Sequence, residues 1–146
     1  MIKAVLDTTV LVSAFLKPTP GGVSFELLLL AKERRFELHI SDEILDEVAG
    51  ALSGYERMKR RYQYSDSAIV EYRQNLQKLA KLVRDVPEVR GVVVRDPDDD
   101  KIVACAVAAR AKYIVTRDKD SLSIGRHQDI AMVTPEAFLQ LLRAEE

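Results

Sequence analysis

Short apolar runs alternate with longer stretches of helical period along the whole chain, and most of the apolar runs end on polar or acidic residues. Residues 2–6, 36–40, 113–115 and 130–133 have the length and the β-branched or aromatic content of strands. Between them the apolar spacing is helical. A short piece over 10–16 is closed by Pro18 and Pro20, and a helix over 23–34 has Leu27, Leu28 and Leu30 among its apolar positions. Ser41 is a good N-cap for a helix to about Leu52, ended by Ser53-Gly54, with Asp42 and Glu43 favourably placed in its first turn. Further helices are expected over 55–62 and 67–82, the latter marked by Ile69, Tyr72, Leu76, Leu79 and Val83. Residues 83–94 read as extended, as one strand or two. A helix capped by Asp98 or Asp99 runs to about Arg110, and Thr134 with Pro135 starts a last one over 136–142. Strands alternating with helices make an α/β protein with a parallel sheet.

Length and composition narrow the picture. The 146 residues suit one domain with a real core. Hydrophobic residues at 47% and charged residues at 31% describe an ordinary water-soluble globular chain. No apolar run approaches the roughly 20 residues needed to span a bilayer. The longest, 102–109, fits a buried helix face, and the start of the chain goes straight into a strand pattern with no cationic, apolar leader. Cys105 is the only cysteine, which excludes an internal disulfide and suits a reducing cytoplasm; between two alanines it reads as inert packing.

The acidic residues carry the functional signal. The first strand runs into Asp7, the second into Ser41, Glu43 and Glu47, the extended stretch into Asp96, Asp98, Asp99 and Asp100, and the 113–115 strand into Thr116 and Asp118. In an open parallel sheet these strand ends share the edge where ligands bind. Carboxylates gathered there repel one another unless a cation is present, and a hard divalent metal on oxygen ligands is the natural guest. Each position has a plainer reading. Asp7 can simply cap the helix that follows. Glu43 is accounted for by the helix dipole, whereas Glu47, a turn further in and nearer the buried stripe of Ile44, Val48 and Leu52, is not. The four carboxylates of 96–100 exceed what a helix start needs. Asp120 can instead cap the turn around Ser121, and salt bridges with Arg117 or Lys119 are the plain alternative, worth little. His39 and His127 have no ligand spacing for zinc, and Gly21-Gly22 is too short for a phosphate loop.

The net charge of −1 does not advertise a nucleic-acid binder, but Arg57, Lys59, Arg60 and Arg61 fall within five positions and are followed by Tyr62 and Tyr64. This cluster reads either as a solvated helix face or as a phosphate-holding rim beside the acidic pocket, with the tyrosines stacking on unpaired bases.

Residues 5–14, from Val5-Leu6-Asp7-Thr8-Thr9 to Ala14, resemble the opening motif of PIN domain nucleases. Ser41 through Glu47 resembles their second motif, Asp99-Asp100 followed by 101–106 their third, and Val115-Thr116-Arg117-Asp118 their fourth. The subgroup most similar is that of toxin components of bacterial and archaeal toxin–antitoxin pairs. The resemblance implies a three-layer α/β/α domain with a central parallel sheet of four to five strands. It also implies an acidic Mg²⁺ or Mn²⁺ pocket, cleavage of single-stranded RNA, a small antitoxin partner and a homodimer. It assigns the acidic quartet to Asp7, Glu47, Asp99 or Asp100, and Asp118, with Thr8, Thr9, Glu43, Thr116 and Asp120 beside them. Thr9 stands where the family commonly has Asn, so one contact beside the metal differs.

The chemistry expected is phosphodiester hydrolysis by metal-activated water, needing no side-chain nucleophile. Mg²⁺ usually engages only one or two carboxylates directly. A phosphoaspartate phosphatase would need a second Asp two positions after Asp7, where Thr9 stands, and Lys119 is misplaced for a receiver domain. A non-catalytic PIN-like module that binds RNA or a partner is the other alternative, against which the intact quartet argues.

Overall fold

β1 (Lys3–Leu6) is apolar and almost fully buried, as a strand covered on both faces must be, and it lies inside the sheet between β2 (Glu37–Ser41) and β4 (Tyr113–Val115). The computed structural model describes residues 1–87 and 100–145. Within them the sheet order is β3-β2-β1-β4-β6-β5, with β3 spanning Lys81–Val83, β5 Arg126–His127 and β6 Ile130–Val133. β3, β2, β1, β4 and β6 are mutually parallel, and only the two-residue β5 runs antiparallel, as a hairpin with β6. The sheet is thus the expected parallel one, extended by a short antiparallel edge.

Helices flank this sheet. α1 (Thr8–Leu16), α2 (Val23–Lys32), α3 (Asp42–Gly54) and α5 (Asp66–Leu79) pack on one another, and α2 also meets α8 (Pro135–Ala144). α6 (Asp100–Ala109) crosses β1, β2, β3 and β4. Ile102, Val103, Cys105 and Ala106 are nearly or wholly buried on it, so the long apolar run of the sequence is a core helix. Burying a side chain the size of Ile102 contributes about 1.5–3 kcal/mol. Phe36 and Phe138, both fully buried, meet edge to face at 5.0 Å and tie α8 to the start of β2. No described helix is long and apolar enough to cross a membrane.

Several boundaries differ from the sequence reading. The helix expected over 67–82 stops at Leu79, because Ala80 turns extended (ψ 161°) and Lys81–Val83 pairs with His39–Ser41. A ladder with β2 outweighs the helical propensity of those residues. The helix over 23–34 ends at Lys32, and Arg34 takes the left-handed region at φ 60°. α7 (Lys119–Ile124) and β5 were not expected; Gly125, at φ 74°, makes the turn between them. Most of the extended stretch 83–94 lies outside the described residues.

Candidate active site

The carboxyl ends of β1 and β4 lie side by side, with Leu6 in register with Val115, so Asp7 and Thr116 emerge together. Asp7 is 3% exposed. Its Oδ1 accepts the Val10 N–H at 3.0 Å, which caps α1, and the Thr9 hydroxyl at 2.8 Å. Its Oδ2 accepts the hydroxyl of Thr116. Asp7 therefore is the helix cap that the plain reading described, and it is a charged cap that is almost wholly buried. Burial pushes its carboxyl above the usual range against the pull of these hydrogen bonds, and the charge of Asp118 raises it further.

Asp118, half-buried, sits two residues past β4 and caps α7. Its Oδ2 accepts both the Ser121 N–H at 3.0 Å and the Ser121 hydroxyl at 2.9 Å. Its own N–H donates to Thr116 Oγ1 at 3.0 Å. Thr116, 1% exposed, thus donates to Asp7 and accepts from Asp118. Asp7, Thr116 and Ser121 line one small cleft with Ile102, Val103, Ile114 and Met132. Its largely apolar walls strengthen every electrostatic interaction at its polar end. Thr8 contributes a buried hydroxyl with no hydrogen-bond partner among the described residues.

The other candidate ligands come from α3 and α6. Glu47 is half-buried on α3, and its Oε2 lies 3.9 Å from Nζ of Lys101 in the first turn of α6. Glu43 is exposed, yet its charge reaches the Cys105 thiol on α6, which burial chiefly pushes up to about 12. Asp100 is the first residue of α6 and is 9% exposed. Asp99, with Asp96 and Asp98, lies outside the described residues. Asp120 is half-buried in the first turn of α7. Among the described residues no three His, Cys, Asp or Glu side chains come together as a metal-sized cluster. Thr116 links Asp7 to the backbone of Asp118 through two hydrogen bonds, and the charge of Asp118 is felt at Asp7.

Residues 3–120, from β1 into the first turn of α7, match the PIN domain family. The chain belongs to that family. PIN domains are typically nucleases, and they generally use divalent metal ions. No curated protein matches the chain.

The donors of this PIN domain fit a hard cation. They are all oxygen, and Asp7 and Asp118, at the neighbouring ends of β1 and β4, are of the kind and number of carboxylates that Mg²⁺ takes directly. The carboxyl of Asp7 is raised chiefly by burial, with a smaller push from Asp118, and a cation at the site would offset both.

The remaining predicted positions are elsewhere. Arg117 pairs with Glu136 of α8. The basic cluster lies on the exposed helix α4 (Glu56–Tyr62). α3 and α5 run antiparallel, as Arg73 bonds Asp46 and the Tyr64 hydroxyl bonds the Leu52 carbonyl. α4 therefore follows the end of α3 remote from Ser41, roughly 20 Å along the helix axis. Lys59 bonds Asp66, while the guanidinium of Arg61 lies 5.5 Å from the Tyr62 ring centre. Tyr64 is taken up by the fold, edge-on to Phe15 at 5.1 Å, so it is not a base-stacking platform. Sequence reasoning missed Ser121, although its place three residues after Asp118 is the spacing of a helix cap and its N3 partner.

Proposed function

We propose that this PIN domain is a Mg²⁺- or Mn²⁺-dependent endoribonuclease that hydrolyses phosphodiester bonds of single-stranded RNA, and that it is the toxin of a cytoplasmic toxin–antitoxin pair. The observation that carries the nuclease reading is the buried carboxylate of Asp7, held at both oxygens at the end of β1 and coupled to Asp118. A divalent metal bound there supplies an activated water and charge neutralisation at the scissile phosphate. Asp7 and Asp118 would hold it directly. Glu47 and Asp100 would orient its water ligands from α3 and α6, Asp99 being the other acid of the third motif. Thr116 keeps Asp7 and Asp118 at a fixed spacing. Thr8, Thr9, Glu43 and Asp120 complete the polar surroundings.

Arg57, Lys59, Arg60 and Arg61 on α4 extend the reading to substrate: the three arginines are exposed cations suited to phosphates, with the half-buried Lys59 paired to Asp66 beside them. A small antitoxin competing with RNA for these cations and a homodimer of the chain complete it. Purified protein should cleave labelled single-stranded RNA with Mn²⁺ or Mg²⁺ and not with a chelator, and should leave duplex RNA intact. A well-folded Asp7→Asn protein should be inactive. Undiminished cleavage by that variant contradicts the assignment, and RNA binding by the wild type without any cleavage supports the non-catalytic module instead.

A further inference from the structure

α7 begins with an arrangement that capping alone does not require. The Asp118 carboxylate needs only the Ser121 N–H to cap the helix, and it has it at 3.0 Å. The Ser121 hydroxyl is aimed at the same oxygen, at 2.9 Å, from a side chain only 3% exposed and lining the cleft with Asp7 and Thr116. In the usual capping box the third helical residue reaches back to the N–H of the cap residue. Here that N–H goes to Thr116 instead, and the serine addresses the carboxylate. The result is a continuous relay: Ser121 holds Asp118, the Asp118 N–H holds Thr116, and Thr116 holds Asp7. Ser121 is the first residue beyond the stretch that matches the PIN domain family, so the family match does not reach it.

We infer that Ser121 is a positioning residue for the metal site. Its hydroxyl and N–H converge on Asp118 Oδ2 and thereby fix the rotation of the carboxylate, so that the orientation presented to a divalent cation is set before the cation arrives. Partners of this kind orient ligating groups, and their loss typically weakens metal binding by about 10–100-fold. The inference rests on the metal-dependent reading above and adds to it the residue that presets one ligand.

Calorimetric titration of Mn²⁺ into the wild type, Ser121→Ala and Ser121→Thr tests this, with thermal melts in chelator to monitor the fold. Ser121→Ala should weaken Mn²⁺ binding by about tenfold. The half-saturating Mn²⁺ for RNA cleavage should rise by the same factor, with kcat at saturating Mn²⁺ close to wild type. Ser121→Thr, which keeps the hydroxyl, should restore affinity. A purely structural serine would lower the melting temperature and leave metal affinity unmoved. Wild type that binds Mn²⁺ with Ser121→Ala binding it equally well overturns this assignment alone. Wild type that takes up no Mn²⁺ overturns the metal reading together with it.

Discussion

Asp7 carries its charge where the protein disfavours it. Its folded pKa lies above the unfolded value near 3.8, chiefly through burial. Between those two values the folded chain binds more protons than the unfolded one, so this residue's contribution to stability falls as pH rises through its folded pKa. Asn caps a helix as well as Asp does. Asp7→Asn should therefore melt higher than the wild type in chelator at pH 7, by about 2–4 °C for each kcal/mol recovered. The advantage should shrink as pH falls towards 3.8, and added Mn²⁺ should stabilise the wild type alone. A variant that melts lower at pH 7 would show that the hydrogen bonds to the carboxylate, the one from Thr116 included, outweigh the cost of its burial. On α3, Glu47→Gln should cost about 10–100-fold in activity at matched folding. Glu43→Gln, at an exposed position, should cost far less. Equal losses would mean that the wrong face of α3 has been assigned. Cys105, fully buried with its thiol pushed up to about 12, should react with a thiol reagent at pH 8 only after unfolding. Asp7, Asp118 and Glu47 were visible in the sequence because several strand ends carry acids that a parallel sheet brings to one edge, although Asp7 by itself reads equally well as a helix cap. Ser121 was not, because a serine after Lys119-Asp120 looks like any turn residue until its backbone is helical.

The elements were most legible where hydrophobic period and chain punctuation agree. Ser41 accepts the Ile44 N–H at 3.3 Å, and Thr134 with Pro135 starts α8, both as their sequences indicate. Legibility failed where a partner strand decides the conformation. Lys81–Val83 has no local signal separating strand from helix, and it is a strand because β2 offers an open edge. The hairpin of β5 depends likewise on β6. The link between α5 and α1 was also beyond local reading: the Tyr72 hydroxyl donates to the Leu11 carbonyl at 2.6 Å, across 61 positions, while its ring packs on Phe15. Tyr72→Phe keeps the ring and removes that bond, so chemical denaturation should show a loss of about 1 kcal/mol. Leu76→Ala, at a fully buried site on the same helix, should cost about 2–5 kcal/mol. A smaller loss for Leu76→Ala than for Tyr72→Phe would contradict the packing described.

Over the whole molecule, a net charge of −1 includes an acidic group at the carboxyl ends of β1 and β4 and a cationic cluster on α4, at the far end of α3. The sequence cluster suggested a rim beside the acids, whereas the helix lengths set the two apart. If single-stranded RNA runs from the cleft to α4, neutralising Arg57, Lys59, Arg60 and Arg61 together should weaken binding and reduce the salt slope by roughly 2–3. Metal affinity should stay unchanged. An unaltered slope would make α4 a solvated helix face. The central claim is that acids far apart in sequence form one divalent-metal site. Anomalous diffraction from a Mn²⁺-soaked crystal tests it most directly. The account predicts a peak at roughly 2.0–2.3 Å from carboxylate oxygens of Asp7 and Asp118, with Glu47 and Asp100 reaching it through water. A fully soaked crystal with no peak at these residues, or with its only peak elsewhere on the protein, would contradict it.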